Sequence, residues 1–439
     1  MIRRVLLLSL LILVAGGGLA RAQMFSARRM AMGGVILAGG GLGSDAANVA
    51  YRGVPPAPNS GSGITLPIGV IPLLANPPEW DSDDPDFNVY ELANLAYNPP
   101  WNLQLISPEA PANDITIAVG KNHLAVDLGD MKSIFPGGQG KLGSVTNGPA
   151  PGFGVRRFFL AAAPLVFYQN DLSYNESLRD VIDGDEFLAN TNYEMLDHGG
   201  GLAAVGVHLG WAGPLVKTGD PRAGGTGLYA GARLKLMRGL AYAEADNVVS
   251  FVTADTLFGS DPVDVRYAGH YYDTGPDGGR LGRGFDLGAV WLGAGFEAGL
   301  GVNDLGTRFD WRVRESIAYS DTASGEYVQQ VIARGRSHAS TVPVTVAANV
   351  AARAGRFLLA ADVVRGVNST TGHAGAETWL GRCALRGGAF LDPNQIVQFS
   401  LGTGVRFGRL GVDLALATNS RNLSRERGLE LGAGLALYR

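Results

Sequence analysis

The chain has 439 residues, of which 46% are hydrophobic and only 17% charged, and its formal net charge is −4. Such a balance offers no basic surface for nucleic acid, so none is expected as a partner. The single cysteine, Cys383, excludes an internal disulfide framework.

The first residues read MIRRVLLLSLLILVAGGGLARAQ. Arg3 and Arg4 precede an apolar run at 5–14, and Ala20-Arg21-Ala22 is a small-x-small cleavage site. The pattern predicts a secretory signal peptide over 1–22, cut before Gln23, and the run is short for a membrane anchor. Loss of Arg3, Arg4 and Arg21 takes the basic residues from 36 to 33 against 40 acidic ones, a net of −7. Beyond that point no apolar stretch reaches the ~18 residues of a helical span. An exported chain this apolar is then either a soluble β protein or a barrel whose apolar residues face lipid.

Residues 24–60 are rich in Gly and Ala and show no strand period. An acidic, Pro-rich stretch (NPPEWDSDDPD) and a short helical candidate (VYELANLAY) fall within 76–111. Strand candidates begin at 62–73 and 114–127, and the pattern is sustained from Gly152 to the end. Leu228, Ala230, Ala232, Leu234 and Leu236 alternate with Tyr229, Gly231, Arg233 and Lys235. Phe285, Leu287, Ala289 and Trp291 alternate with Asp286, Gly288 and Val290. Val397, Phe399, Leu401, Val405 and Phe407 share one parity, and after Gly408-Arg409 so do Leu410, Val412, Leu414 and Leu416. This is the period of two of a strand, and Gly-Arg suits a two-residue hairpin loop.

The same turn recurs at Gly355-Arg356 and Gly381-Arg382, so the three turns lie 26 and 27 residues apart. Two strands of ~10 residues with one short and one longer loop fill such an interval, as in an outer-membrane barrel. The short turns are expected on the periplasmic side, with further connections there at 213–225 and 301–306. Larger outer loops are expected at 169–192, 245–282 and 320–340, two of them with strand-like pieces able to stand above the membrane as hairpins. About twelve strands follow Gly152, and with 62–73 and 114–127 the total is about fourteen. The expected fold is all-β, a transmembrane antiparallel β-barrel of about 14 strands. Its division is 1–22 signal peptide, 23–111 N-terminal hatch or plug-like region with a possible first strand, and 112–439 barrel. A barrel that wide is not filled by its own strand side chains, so part of 24–111 is expected in or under the lumen.

The segment RRMAMGGVILAGG resembles the Met-Gly-Gly segment near the mature start of fatty-acid-transporter (FadL-type) outer-membrane proteins and of their PorV-type relatives. HAGAETWLGRCALRGGAF and SLGTGVRFGRLGVDLALAT resemble the last strands of those barrels. The resemblance implies a fourteen-strand barrel with an N-terminal hatch. It implies one of two roles: passive entry of hydrophobic or amphipathic, fatty-acid-like small molecules, or a PorV-like scaffold or shuttle for a secreted protein partner. The chain departs from the family where it reads AANVAYRGVPPAP in place of an Asn-Pro-Ala segment, and where it ends LALYR without a terminal aromatic residue.

No pattern for chemistry rises above this architecture. The six histidines, His123, His198, His208, His270, His338 and His373, form no H-x-H or H-E-x-x-H pair. Asp81, Asp83, Asp84 and Asp86 lack the Gly and terminal Glu of an EF-hand, and GDPRAGGTG lacks the Lys-Ser/Thr of a phosphate loop. Neither a metal, a cofactor nor a catalytic residue is expected, and no enzyme activity. Arg233, Lys235, Asp286, Arg353, Arg386, Arg406 and Asp413 share the inward parity and are expected to line the lumen, because a charge on the lipid face costs ~2–4 kcal/mol at mid-membrane. Phe167, Tyr168, Trp211, Trp311 and Trp379 are expected near strand ends as interfacial girdles. Partners are outer-membrane lipid and, by the resemblance, an apolar ligand or a secreted protein; the substrate-binding residues are not legible.

Overall fold

A computed structural model describes residues 27–36, 44–57, 61–66, 100–102, 116–120, 123–127, 139–147, 152–183, 186–255, 263–274, 279–320, 327–391, 397–418 and 428–438. The signal peptide expected over 1–22, the acidic stretch and the helical candidate at 89–97 lie outside the described residues.

Alternating sequence becomes one antiparallel sheet of eighteen strands. In four cases two successive segments run along the same neighbour with a break between them, so the ladders define fourteen positions among the described residues. They are β1 (Gly61–Leu66 and Pro100–Asn102), β2 (Gln139–Asn147 and Gly152–Val155) and β3 (Phe158–Tyr174). Next come β4 (Asn192–Thr218), β5 (Thr226–Thr253), β6 (Val263–Asp273 and Leu281–Gly293) and β7 (Phe296–Ser320). Then follow β8 (Tyr327–Thr341 and Thr345–Ala354), β9 (Phe357–Arg365), β10 (Thr370–Leu380) and β11 (Cys383–Leu391). The last are β12 (Val397–Phe407), β13 (Leu410–Thr418) and β14 (Gly428–Tyr438). β1 pairs with β14, Gly61 opposite Tyr438, and β2 pairs with β3, so among the described residues the sheet runs from β2 through β14 to β1.

The parity argument describes the faces well. On β12 and β13 Leu401 is 68% exposed and Leu410 64%, while Gln398, Ser400 and Asp413 are buried. The outward row continues through Leu385, Leu359, Val350, Leu300, Phe285 and Leu228, all exposed. An apolar band this broad is a lipid-facing surface, and the fold is a transmembrane antiparallel β-barrel. Gly355, Gly381 and Gly408 have φ of 60°, 63° and 64°, the left-handed conformation that a Gly-first hairpin turn requires.

Two expectations are corrected. Residues 116–127 do not enter the barrel wall: Thr116–Gly120 and His123–Asp127 pair only with each other, in a sheet of two strands. The second wall position is β2, whose Gly-rich sequence (QGKLGSVTN) carries no clear alternation. Residues 301–306, GVNDLG, are not a connection but lie inside β7, and the tight turn falls at Ala294-Gly295, both with positive φ. Asp304 and Gly306 also have positive φ, where the ladder to β6 shifts register, so the Asn-Asp-Gly signal marks a bulge and not a chain reversal.

The wall is uneven in height. β9 and β13 have 9 residues each, close to the ~9–11 of one membrane crossing. β4, β5 and β7 have 27, 28 and 25. The surplus carries this side on the order of 40 Å past the lipid, given ~3.3 Å per residue and the usual strand tilt. The expected outer loops at 245–282 and 320–340 are thus mainly strand. Polarity inverts where the lipid ends. On β7 the outward residues pass from Leu300 to Arg308, Asp310, Arg312 and Arg314, all exposed, while the inward ones pass from Glu297 and Asn303 to Phe309, Trp311 and Val313, all buried.

Candidate functional site

The lumen is occupied near the short turns by the N-terminal segment. It comprises α1 (Ala27–Ala31), a Met32-Gly33-Gly34 turn, α2 (Ser44–Ala47) and a 3-10 turn (Val49–Gly53) capped by the Asn48 side chain. These residues meet opposite walls. Asn48 Nδ2 donates to the Ala289 carbonyl of β6 at 3.1 Å, and Arg28 pairs with Glu377 of β10 at 2.6 Å. A sheet that reaches both sides of one segment is wrapped around it, so the segment is a plug.

Small residues let the plug approach the wall. Gly33 and Gly34 have φ of 68° and 81°, and Gly33 N donates to Ser400 Oγ of β12 at 2.8 Å. On the wall, Gly388 has Gly33 N 2.2 Å from where a Cβ would stand, and Gly375 has the Met32 carbonyl at 2.4 Å. The glycines of β10 and β11 therefore serve backbone-to-backbone docking. Gly388 is such a docking residue, whereas Gly295 belongs to a tight turn. Gly388→Val should displace the plug without unfolding the wall; protease cleavage within 27–57, scored beside the heat-modified mobility of the barrel, reads the two separately.

Polar contacts then fix the plug. Glu377 accepts from both Arg28 (2.6 and 2.8 Å) and Arg386 of β11 (2.8 Å), and Arg386 continues to Asp413 of β13 at 2.6 Å. Ile36 N donates to Asp362 of β9 at 2.7 Å, and the other oxygen of Asp362 meets His373 Nδ1 at 2.5 Å. Tyr51 donates to Glu297 of β7 at 2.6 Å and accepts from Asn349 of β8 at 2.6 Å. Burial, with Glu297 beside it, raises the phenol pKa above its ordinary value, so Tyr51 stays a donor. Arg222, in the β4–β5 turn, reaches both Glu297 (3.2 Å) and the Pro55 carbonyl (3.0 Å).

Two layers lie on the long-strand side of the plug. The first is a buried charge quartet. Asp286 of β6 holds Arg233 at 2.5 Å and Lys235 at 2.8 Å, both of β5, and Lys235 continues to Asp304 of β7 at 2.5 Å. The second is apolar. Leu165 and Phe167 of β3, Leu202 of β4, Met237 and Tyr242 of β5, and Phe309 and Trp311 of β7 pack in one cluster. A bulge at Ala203/Ala204 opposite 239–241 switches the inward parity of β5 from odd to even residues, which brings Tyr242 in beside Met237.

From that cluster a file of rings climbs the tall wall. Phe309 stacks on Trp311 (5.4 Å), Trp311 on Tyr242 (5.3 Å), Tyr242 meets His338 (5.4 Å), His338 stacks on Tyr272 (4.6 Å) and Tyr272 meets His270 (4.7 Å). Around its upper end each histidine faces a carboxylate: His198 with Asp246, His270 with Glu315 at 2.8 Å, His338 with Glu244 at 3.2 Å. Donor atoms of His198, Glu244 and Asp246 all lie within 4.8 Å of one another. No spacing along the chain shows this, because register and not sequence puts His198 opposite Asp246.

The residues expected to line the lumen separate into groups. Arg233, Lys235 and Asp286 come together in the quartet, and Arg386 and Asp413 in the plug anchor. Arg353 is partly exposed beside the Ala294-Gly295 turn, where its N–H donates to the Gly295 carbonyl at 2.7 Å. Arg406 Nε donates to the Gly408 carbonyl at the end of β12. Sequence reasoning missed Glu377, Glu297, Asp362 and Asp304. Their inward parity was available, but their cross-strand partners were not. Phe167 and Trp311 are buried inside the apolar cluster and are not girdle residues, since both face inward on strands that outrun the lipid.

No family model matches the chain, and no curated protein matches it. Among solved structures it is similar to the toluene transporter TodX of Pseudomonas putida, at 11% identity over 70% of this chain and 90% of that one, TM-score 0.25. It is also similar to the CymD monoaromatic hydrocarbon channel, at 12% identity over 73% and 94%, TM-score 0.26. A mutant porin of Rhodopseudomonas blastica follows at 9% identity over 68% and 100%, TM-score 0.24. The assignment of this chain to the plugged transmembrane β-barrels rests on its own ladders and its own plug, and not on these likenesses.

Proposed function

We propose that the protein is an outer-membrane channel for passive entry of hydrophobic or amphipathic small molecules, fatty-acid-like in class. The observation that carries this reading is the file of rings from His270 down to Phe309, which ends in an apolar cluster inside the barrel. A plugged lumen blocks bulk water, whereas an apolar solute gains by leaving water for an aromatic surface. Charged groups behind the cluster would stop it from passing straight through while the plug is seated.

The test is flux into liposomes that carry the refolded protein, with a long-chain fatty acid and a small sugar as solutes. Fatty-acid flux without sugar flux is expected, and Trp311→Ala should slow it severalfold. Sugar flux through the intact protein would make it an open porin. A second reading, a PorV-like scaffold for a secreted protein, draws on the tall wall of β4–β8, which offers a large surface outside the lipid. If neither solute moves, that reading leads, and capture of a stoichiometric partner from membranes is its test.

A further inference from the structure

The outer face of the tall wall carries a row of arginines that the channel reading does not use. Arg238 of β5, Arg283 of β6, Arg308, Arg312 and Arg314 of β7, and Arg334 of β8 all point away from the lumen and are exposed. Arg238, Arg283 and Arg308 stand where the apolar band ends, just past Leu236, Phe285 and Leu287, and Arg312, Arg314 and Arg334 continue the row up the wall. The ladders place them against each other. Arg283 is directly opposite Arg308, Arg314 is directly opposite Arg334, and Arg238 is opposite Leu281, two residues along from Arg283. Like charges directly opposite across a sheet are destabilising. Carboxylates answer only part of the row: Asp310 meets Arg308 at 3.3 Å and Asp273 meets Arg314 at 2.9 Å. Among the described residues Arg238, Arg283 and Arg334 have no acidic partner.

We infer that this row binds the phosphate groups of an anionic lipid of the outer leaflet. The guanidinium fork matches phosphate oxygens, and a phosphate between Arg283 and Arg308 would turn a repulsive pair into two attractive ones. The apolar band directly beneath takes the acyl chains of the same molecule. That continuity of charge and grease selects a lipid headgroup over a free anion. The row lies on the lipid side of the wall, and the lumen contributes nothing to it, so the inference stands apart from what the channel carries.

The purified full-length barrel in neutral detergent is mixed with phosphorylated lipopolysaccharide, and bound lipid phosphate per barrel is counted after gel filtration. Replacing Arg238, Arg283, Arg308 and Arg334 together by Gln should weaken retention by about tenfold, as four exposed ion pairs of modest strength sum to. Enzymatically dephosphorylated lipid should bind the unaltered protein as weakly. A control with Arg356→Gln, Arg382→Gln and Arg409→Gln at the opposite membrane edge should retain lipid normally. Equal retention by the fourfold variant, equal binding of dephosphorylated lipid, or the same loss in the control would each overturn the inference. Heat-modified mobility shows whether the variant has folded. If it has not, the dephosphorylated-lipid comparison on the unaltered protein decides alone.

Discussion

Glu377→Ala should open the lumen. Glu377 is 2% exposed and is gripped by two arginines, one on the plug and one on the wall. Removing it leaves Arg386 with Asp413 and strips Arg28 of the carboxylate that fixes α1. Breaking a buried pair from one side costs about 3–5 kcal/mol, because a charge is left without its partner in a dry place. The plug is held by several such contacts but by few so short and so buried. We expect sugar permeability in liposome swelling and stepwise conductance in planar bilayers, both absent from the unaltered protein. A variant that stays as tight as the parent, with the same protease pattern at its N-terminal segment, would show that the anchor is dispensable.

Asp286→Ala should instead weaken the wall itself. Its two oxygens hold Arg233 and Lys235 and also accept the Asp304 N–H at 2.8 Å. All four members of the quartet are 2% exposed or less. With Asp286 gone, Arg233 loses the carboxylate that holds it while Lys235 keeps Asp304, and the bulge on β7 loses the bond that sets its shape. The expected loss is about 3–5 kcal/mol. It is read as a lower urea midpoint for the heat-modified mobility shift. Lys235→Met in the same background should recover part of it, since that removes the surplus charge while keeping the chain length. No recovery would mean that the bulge bond, and not the charge balance, carries the effect.

The membrane-crossing half of the molecule was legible because lipid enforces the alternation. Leu401, Leu410 and Phe285 had to face outward, and Gly408 had to turn the chain. Above the lipid both faces of the wall meet water or packed protein, and alternation no longer tells inside from outside. That is why Trp311 reads as a girdle residue and is in fact core. Turn chemistry misled at 301–306 for a related reason: Asn, Asp and Gly satisfy a bulge as readily as a hairpin loop. The plug contacts were out of reach. Glu377 opposite Arg386 and His198 opposite Asp246 are facts of register, and register follows from where each bulge falls. The Met-Gly-Gly segment was visible as a motif, and only the approach of Gly33 to Gly388 shows what its glycines are for.

The plug also constrains the order of assembly. Its partners are far along the chain: 349 residues separate Arg28 from Glu377 and 367 separate Gly33 from Ser400. The segment that is synthesised first therefore has nothing to hold until the last hairpins exist. Closing so long a loop is not in itself expensive, since the entropy cost grows only by about 0.6 kcal/mol per doubling of length. Timing is the difficulty. Once the wall surrounds the lumen, threading a folded segment past tight turns would require the wall to part again. The addition of β1, which follows the plug directly in the chain, is therefore the natural last step. A chain that lacks β14 would leave an unpaired sheet edge and a homeless plug together, and quality control would meet both at once.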